Sequence, residues 1–561
     1  MKRHLLTLAG CLLWTLVSVA ASRTAEEAAV IAGRFAAGKT QPVAQRMQRA
    51  RMYSSAVQPM RLVYTQAQSD NAPALYVFNS ETADGGFVVV SAEDNARTIL
   101  GYADSGHFTE AEMPANMRFW LHMYADEIAR AALTPASVAQ TEDDTTYPAV
   151  SPLLGTTAWG QDEPYNNLCP TKDGVQCVTG CVATATSQIM YYHRYPAKGT
   201  GAHSYTWNNQ TLSANFGNTT YDWTNMLPVY SGTNYSTTQA NAVATLMSHV
   251  GIACNMGYDT NANGGSGAVS NSALQALIHY FGYDAAIRVL PKDYMDETEM
   301  LGAIASDLQA GHPIFMSGRT TQNEGHAFVL DGMQSNGYVH INWGWDGYCN
   351  GYFAISAMNP YGQGTGGAAS GKGFTESVCA FTGIQPNQGG DSIPLIIADV
   401  VRCISQRRVG INDNLSFSIN SFQNSGVTTS KGKVTYIIYK DGQYYTKMPI
   451  NATYNLSPGY SYTNPYTVYR SVSGLPAGEY ELALGVLPDN STTAYPILTK
   501  IARGERRFPL TITTDSVFLG EGNINQDDKA DLNFADAYIF DYTDSYGVNF
   551  LQVELQTSDY K

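Results

Sequence analysis

The sequence predicts an α+β protein built in several parts, and three observations lead there. Its 561 residues exceed what a single hydrophobic core usually serves. Helical and strand-like patterns mix as far as about Pro386, whereas from Ile393 onward β-branched and aromatic residues cluster between turn signals with no long helical period. Charged residues make up 14% of the chain while glycine (51) and tyrosine (37) are plentiful, a balance suited to β-rich, loop-rich extracellular proteins.

The N-terminus indicates export. Lys2 and Arg3 precede an apolar run from Leu5 to Ala21 with small residues at Ser18, Ala20 and Ser22, so residues 1–22 read as a cleaved signal peptide of a secreted protein. Leu8-Ala9-Gly10-Cys11 also fits a lipobox that would tether the chain through Cys11, but the apolar run continues well past Cys11, which favours ordinary cleavage. No later stretch reaches the ~18 consecutive apolar residues of a spanning helix, so no membrane span is expected. The formal charge of −15, without a basic stripe interleaved with aromatics, argues against a nucleic-acid partner. Loss of Cys11 leaves Cys169, Cys177, Cys181, Cys254, Cys349, Cys379 and Cys403, an odd set in which at least one thiol stays unpaired.

Residues 23–147 open with an Ala-rich helical segment, followed by two strand-like runs, Ala74–Asn79 and Gly86–Ser91. Met113–Leu133 then carries Met117, Leu121, Tyr124, Ile128 and Ala131 at helical spacing, completing a small α+β unit. The acidic, Thr-rich stretch Gln140–Thr146 reads as an exposed, cleavable linker. Residues 148–386 hold all the candidate chemistry, and Gln385–Ser392 reads as the next linker. Lys433–Tyr439, Gln443–Met448 and Tyr480–Val486 suggest a β-sandwich-like module at 393–514, which leaves 515–561 as a C-terminal extension of unassigned role.

The richest segment is Thr179–Pro196, TGCVATATSQIMYYHRYP. Val182, Ala185, Ile189 and Tyr192 fall on one helical face, which puts Cys181 at a helix N-terminus. There, unpaired backbone N–H groups and the positive end of the helix dipole favour thiolate and can face a developing oxyanion. On position alone, a small buried hydrophobe or a disulfide with Cys177 fits equally well.

A second segment, GHAFVLDG (Gly325–Gly332), places His326 at the start of an apolar strand, and HINWGWDGY (His340–Tyr348) follows to form a hairpin. On it Asn342 can receive the imidazole N–H and Trp343 can shield that bond, fixing the ring as the third member of a triad does. Singly, each residue also suits an aromatic-rich core hairpin. Together, a Cys at a helix start, a Gly-His-Ala strand and then Asn-Trp-Gly follow the order of papain-like enzymes.

These three segments, in this order, closely resemble the streptopain family of bacterial cysteine peptidases over about Ala149 to Pro386, and GGFVVVSAEDNARTILGY (Gly85–Tyr102) resembles that family's propeptide. The resemblance implies a papain-like cysteine peptidase domain at 148–386, with an inhibitory propeptide at 23–147 that acts as the chain's own inhibitor until a cut near Thr146 to Ala149. It implies Cys181 as nucleophile, His326 as general base, and Asn342 with Trp343 as the elements that orient and cover the histidine. Protein or peptide substrates with an apolar side chain two residues before the scissile bond follow from the same resemblance, which also puts a mobile loop beside the cleft at Gly362–Gly373.

The residue types then set a mechanism in which a Cys181 thiolate attacks a peptide carbonyl, His326 protonates the leaving amine and water hydrolyses the thioester. The oxyanion would rest on the Cys181 N–H and a glutamine amide, as papain-like sites use, with Gln161 in AWGQ preferred over Gln176. No metal or organic cofactor is required. Asp259-Thr260-Asn261-Ala262-Asn263-Gly264 and the Asn523, Asn525, Asp527, Asp531 cluster imitate parts of calcium loops, but Ser270 and Phe534 stand where closing carboxylates belong. His193, His279 and His340 lack partners at metal spacing. The competing function of a different class is a surface adhesin or carbohydrate-binding protein whose C-terminal β module carries the main role. Transamidation by the same Cys and His ranks third.

Overall fold

Runs rich in β-branched and aromatic residues give the N-terminal unit four strands, β1 (Met60–Ala67), β2 (Pro73–Ser80), β3 (Phe87–Ser91) and β4 (Ile99–Ala103). In the computed structural model, which describes residues 22–39, 57–68, 71–94, 96–132, 146–319, 325–357, 376–489, 491–523, 536–543 and 549–556, they lie between two helices, α1 (Ala25–Lys39) and α2 (Ala115–Ala132). The signal segment before Ser22, nearly all of Gln140–Thr146 and the run Gly362–Gly373 lie outside the described residues. Tyr76, Phe78, Val88 and Val90 pack on Ala28, Ala32 and Phe35 of α1, while the alternate residues Leu75, Val77, Phe87 and Val89 pack on Met117, Trp120 and Tyr124 of α2. Both faces of the sheet are therefore apolar, which explains strand sequences that run hydrophobic instead of alternating.

The central domain has a helical half and a sheet half. Two small hairpins, β5 (Thr171–Lys172) with β6 (Val175–Gln176) and β7 (His203–Trp207) with β8 (Gln210–Ala214), accompany the helices α3 (Cys181–His193), α4 (Thr237–Ala253) and α5 (Ser270–Phe281). The other half combines α6 (Glu297–Gln309) with β9 (Arg288–Pro291), β10 (Ile314–Arg319), β11 (Gly325–Met333), β12 (Val339–Asn342), β13 (Gly351–Phe353) and β14 (Glu376–Thr382). Helix α3 lies between α4, α5 and the inner residues of β11, and Val182 to Tyr191 are all buried, where the sequence pattern had marked a single apolar face. Helices at the centre of a fold need no polar side.

One ten-stranded sheet crosses from the N-terminal unit into the central domain in the order β1-β2-β3-β4-β13-β12-β11-β10-β14-β9. The seam consists of Tyr102 opposite Tyr352 and Gly101 opposite Phe353. A Cβ at Gly101 would stand 2.3 Å from Phe353 Cδ1, so only glycine lets the Phe353 ring cross there. Ion pairs brace the seam on both sides: Arg97 reaches Glu297 at 2.9 Å, and the buried Glu127 carboxylate takes Lys292, the Ser356 hydroxyl (2.9 Å) and the Ala357 N–H (2.6 Å).

The connection Gln385–Ser392 is anchored and not a free linker. Asp284, buried beneath it, accepts N–H groups from Ala286 (3.0 Å), Gln388 (3.0 Å) and Gly390 (3.3 Å). Burial opposes the Asp284 charge, yet these N–H groups hold its pKa below the ordinary carboxylate value. Beyond it, a large sheet built around Gly478–Pro488 and Ser430–Lys440 and a three-stranded sheet of Val400–Cys403, Leu415–Asn420 and Tyr466–Arg470 share one core, with Phe417 packed against Tyr436 and Phe508. Ser516–Leu519 pairs with Arg408–Gly410 and Arg507–Ile512, so that strand belongs to this sheet and not to the terminal extension. Leu395 and Val427 join the central domain's core, and Lys500 pairs with Asp293 at 3.6 Å.

Gly101→Val is expected to overpack the seam and destabilise the full-length chain by about 1–3 kcal/mol. Denaturant melts of the two proteins check this; an unchanged midpoint would mean that Phe353 yields without cost.

Candidate active site

Helix α3 begins at Gly180, whose φ of +86° no L side chain adopts readily, and a Cβ there would lie 2.8 Å from Ser266 O. The turn before it is clamped by the Thr179 N–H on Gln161 O (3.1 Å) and by the Ser266 hydroxyl on Val178 O (2.7 Å). The chain thus delivers Cys181 as the first residue of a helix with no side-chain cap, its N-terminal N–H groups unspent. The strand start of β11 faces it, and the N–H groups of Ala327, Val182 and Cys181 itself point at the sulfur. Burial raises the thiol's pKa, and those three N–H groups only partly offset this.

His326 precedes Ala327 on the same strand, so one element brings both groups to the helix end. Its ring lies under Phe119 of α2, centroid to centroid 5.5 Å, and burial pushes its pKa down to about 4. Among the described residues no hydrogen bond joins His326 to Cys181 or to Asn342. The Asn342 amide is engaged elsewhere: Nδ2 donates to Thr157 O (2.8 Å) and Oδ1 accepts the Gly344 N–H (3.0 Å). Trp343 is fully buried, donates its indole N–H to Cys349 O (2.9 Å) and packs against Phe328, Phe353 and Trp120.

The two candidate oxyanion donors separate clearly. Gln176 Nε2 is spent on the carbonyls of Asn166 (2.8 Å) and Cys169 (2.6 Å), which leaves it none of its N–H groups for a substrate oxygen. Gln161 is buried beside the turn that leads into Cys181, through its own carbonyl on Thr179.

Helix α2 also reaches the site, which the sequence pattern did not foretell. Asn116 Nδ2 donates to Trp343 O (2.6 Å) and Ala327 O (3.3 Å), and Trp120 sets its ring edge-on against Phe328 and Trp343. The available signal was a polar residue and two aromatics, Asn116, Phe119 and Trp120, interleaved with the core stripe of the same helix.

Among the described residues no group of three His, Cys, Asp or Glu side chains is placed to hold a metal. The Asp259 carboxylate is held at about 2 by the Lys172 ammonium (2.6 Å), with Asn263 and the Thr260 N–H assisting. His340 pairs with Asp331 (2.6 Å), and His193 meets Ile384 O (3.0 Å). The seven cysteines among the described residues are all free thiols in this structure, Cys177 included.

Residues 159–353 match the peptidase C10 family, and residues 20–128 match the Spi protease inhibitor. Streptopain of Streptococcus pyogenes is 34% identical over 333 residues, 56% of this chain and 81% of that protein. The thiol protease/hemagglutinin PrtT of Porphyromonas gingivalis is 33% identical over 364 residues, 62% of this chain and 40% of that protein. A solved fragment of Prevotella intermedia prointerpain A, a cysteine-to-alanine mutant, is 35% identical and covers 58% of this chain and 99% of its own, at a TM-score of 0.49. The molecule is a cysteine peptidase with an inhibitor-type N-terminal region, and the chain belongs to the peptidase C10 family.

With α2 docked, a raised thiol pKa and a lowered imidazole pKa leave both groups neutral near pH 7. Iodoacetamide should therefore alkylate Cys181 of the unprocessed chain slowly at pH 7 and faster only as the pH rises past the ordinary thiol value of ~9. Phe119→Ala should raise the pH 7 rate about tenfold or more by opening His326 to water. Equal rates in the two proteins would show that the Phe119 ring does not control the pair.

Proposed function

We propose that the chain is the zymogen of a secreted cysteine endopeptidase that hydrolyses peptide bonds of proteins, with Cys181 as nucleophile and His326 as general base. The observation that carries this reading is the meeting of two sequence segments at one point: Cys181 opens a buried helix, and the Ala327 N–H beside His326 is aimed at its sulfur. Export rests on the N-terminal signal pattern, which lies outside the described residues. Maturation near Thr146 to Ala149 would leave the new N-terminal segment pinned, since Val150 N donates to Met333 O (2.8 Å).

Release of residues 23–147 removes Phe119 from the His326 ring and Asn116 from the carbonyls of Ala327 and Trp343. Fuller hydration then permits proton transfer from thiol to imidazole, because an ion pair that is costly when partly buried is stabilised by water and by the helix N-terminus. The thiolate attacks the substrate carbonyl, the oxyanion takes the Cys181 N–H and the Gln161 amide, and His326 protonates the departing amine. Water, deprotonated by the same imidazole, cleaves the thioester. Asn342 orients the ring by accepting its other N–H, and Trp343 covers that bond.

The two-sheet arrangement after Ile393 supports reading a β-sandwich-like module that begins there and runs past residue 514 to include Ser516–Leu519. Its contacts with the central domain through Leu395, Val427 and Lys500 favour an accessory to proteolysis over a separate adhesin.

The matured protein is expected to cleave casein, to be blocked by iodoacetamide, and to lose about 10⁴-fold or more in rate on Cys181→Ala. Undiminished cleavage by that variant overturns the assignment. Gln161→Ala should cost about 10²–10³ in kcat, while Gln176→Ala should act only on stability; the reverse pattern would move the oxyanion donor to Gln176.

A further inference from the structure

Helix α3 takes four polar side chains into its buried stretch, Thr184, Thr186, Ser187 and Gln188. Thr184 and Thr186 turn their hydroxyls back onto the carbonyls of Gly180 (3.1 Å) and Val182 (2.7 Å). The Ser187 hydroxyl has no partner among the described residues, but a short rotor can turn to its own helix in the same way. Gln188 is different. Its side chain is fully buried, and neither Oε1 nor Nε2 meets a hydrogen-bond partner among the described residues. An unpaired buried amide is destabilising where a methionine or leucine of similar size would be neutral or better. A glutamine at such a position is best explained by a second arrangement of the site in which the amide is used.

Gln188 stands about two turns from Cys181 on the same side of α3, with Thr184 between them. That side looks onto the loop after β12: a Cβ at Gly344 would lie 3.0 Å from Thr184 Cγ2 and 3.7 Å from Gln188 Nε2. In the docked state the Gly344 N–H occupies Asn342 Oδ1 at 3.0 Å, and Asn116 of α2 holds the same loop through Trp343 O at 2.6 Å. The Asn342 amide that has to receive the imidazole N–H is thus held against a backbone N–H two residues away, and Gln188, beside the same glycine, carries an idle acceptor.

We propose that Gln188 is a positioning residue: once the N-terminal unit leaves, Gln188 Oε1 takes the Gly344 N–H and lets the Asn342 amide turn its Oδ1 to the N–H of His326. This rests on the Cys181, His326 and Asn342 site proposed above. Gln188 touches no reacting atom; it acts through the loop 342–344. Release of the Asn116 bonds to Trp343 and Ala327 is what lets the loop make the exchange.

The test compares wild type, Q188M, Q188L and C181A, each expressed as the full chain and matured identically. Q188M is expected to melt no lower than wild type and to lose about tenfold or more in kcat on a peptide substrate, with KM little changed. In the same variant the acid limb of the Cys181 alkylation rate should move up by about half a pH unit or more, because a poorly oriented imidazolium stabilises the thiolate less. A folded Q188M with wild-type kcat and a wild-type alkylation profile overturns the proposal. Failure of both apolar variants to fold assigns Gln188 a structural role and overturns it as well. Wild-type cleavage that survives in C181A would overturn the underlying site, and the proposal with it.

Discussion

Strand β4 meets β13 over two residue pairs, and through them four N-terminal strands and the central sheet become one. Sheet continuity fixes where α2 lies, and α2 then sets Asn116, Phe119 and Trp120 on β11 and on the loop after β12. Two backbone pairs are a weak join by themselves. The Arg97–Glu297 pair and the Glu127 cluster with Lys292, Ser356 and Ala357 make docking close to all or none, because losing one partner leaves the other charge buried and uncompensated.

In the proposed site, latency follows from surroundings that favour the neutral pair. A thiol and an imidazole that share a proton as an ion pair require solvent or fixed dipoles to support two charges. Under α2 the thiol is shifted upward and the imidazole downward, each by burial first, so the neutral pair is the stable one. In the docked protein His326 is a depressed base that binds its proton only near 4, whereas the undocked protein would bind it already at or above the ordinary value near 6.5. Acidification across that window therefore favours separation of α2 from the site.

Much of this was legible in the sequence. The helix at Thr179–Pro196, the hairpin of Gly325–Gly332 with His340–Tyr348 and the strands Ala74–Asn79 and Gly86–Ser91 all coincide with observed elements, because each carries a local pattern bounded by glycine or proline. Strands β1 and β4 were missed: β4 is too short to show a period, and β1 is an edge strand with half its residues exposed. Asn116 and Phe119 were hidden inside a helix whose stripe of Met117, Leu121, Tyr124 and Ile128 explained it fully as core. Gln188 was hidden for the opposite reason, since one polar residue on an amphipathic helix marks the solvent face unless that helix is buried all round. The anchoring of Gln385–Ser392 by Asp284 is a contact across a hundred residues, and composition carries no trace of it.

The central claim is that the docked N-terminal unit keeps Cys181 and His326 as a neutral pair that becomes an ion pair when the unit leaves. NMR titration of the His326 imidazole, in the unprocessed chain and in matured protein, tests it most directly. The expected result is an apparent pKa near 4 before processing and a value raised above the ordinary ~6.5 after it, falling back in matured Cys181→Ala, which has no thiolate partner. An imidazole that titrates alike in all three proteins would contradict the claim.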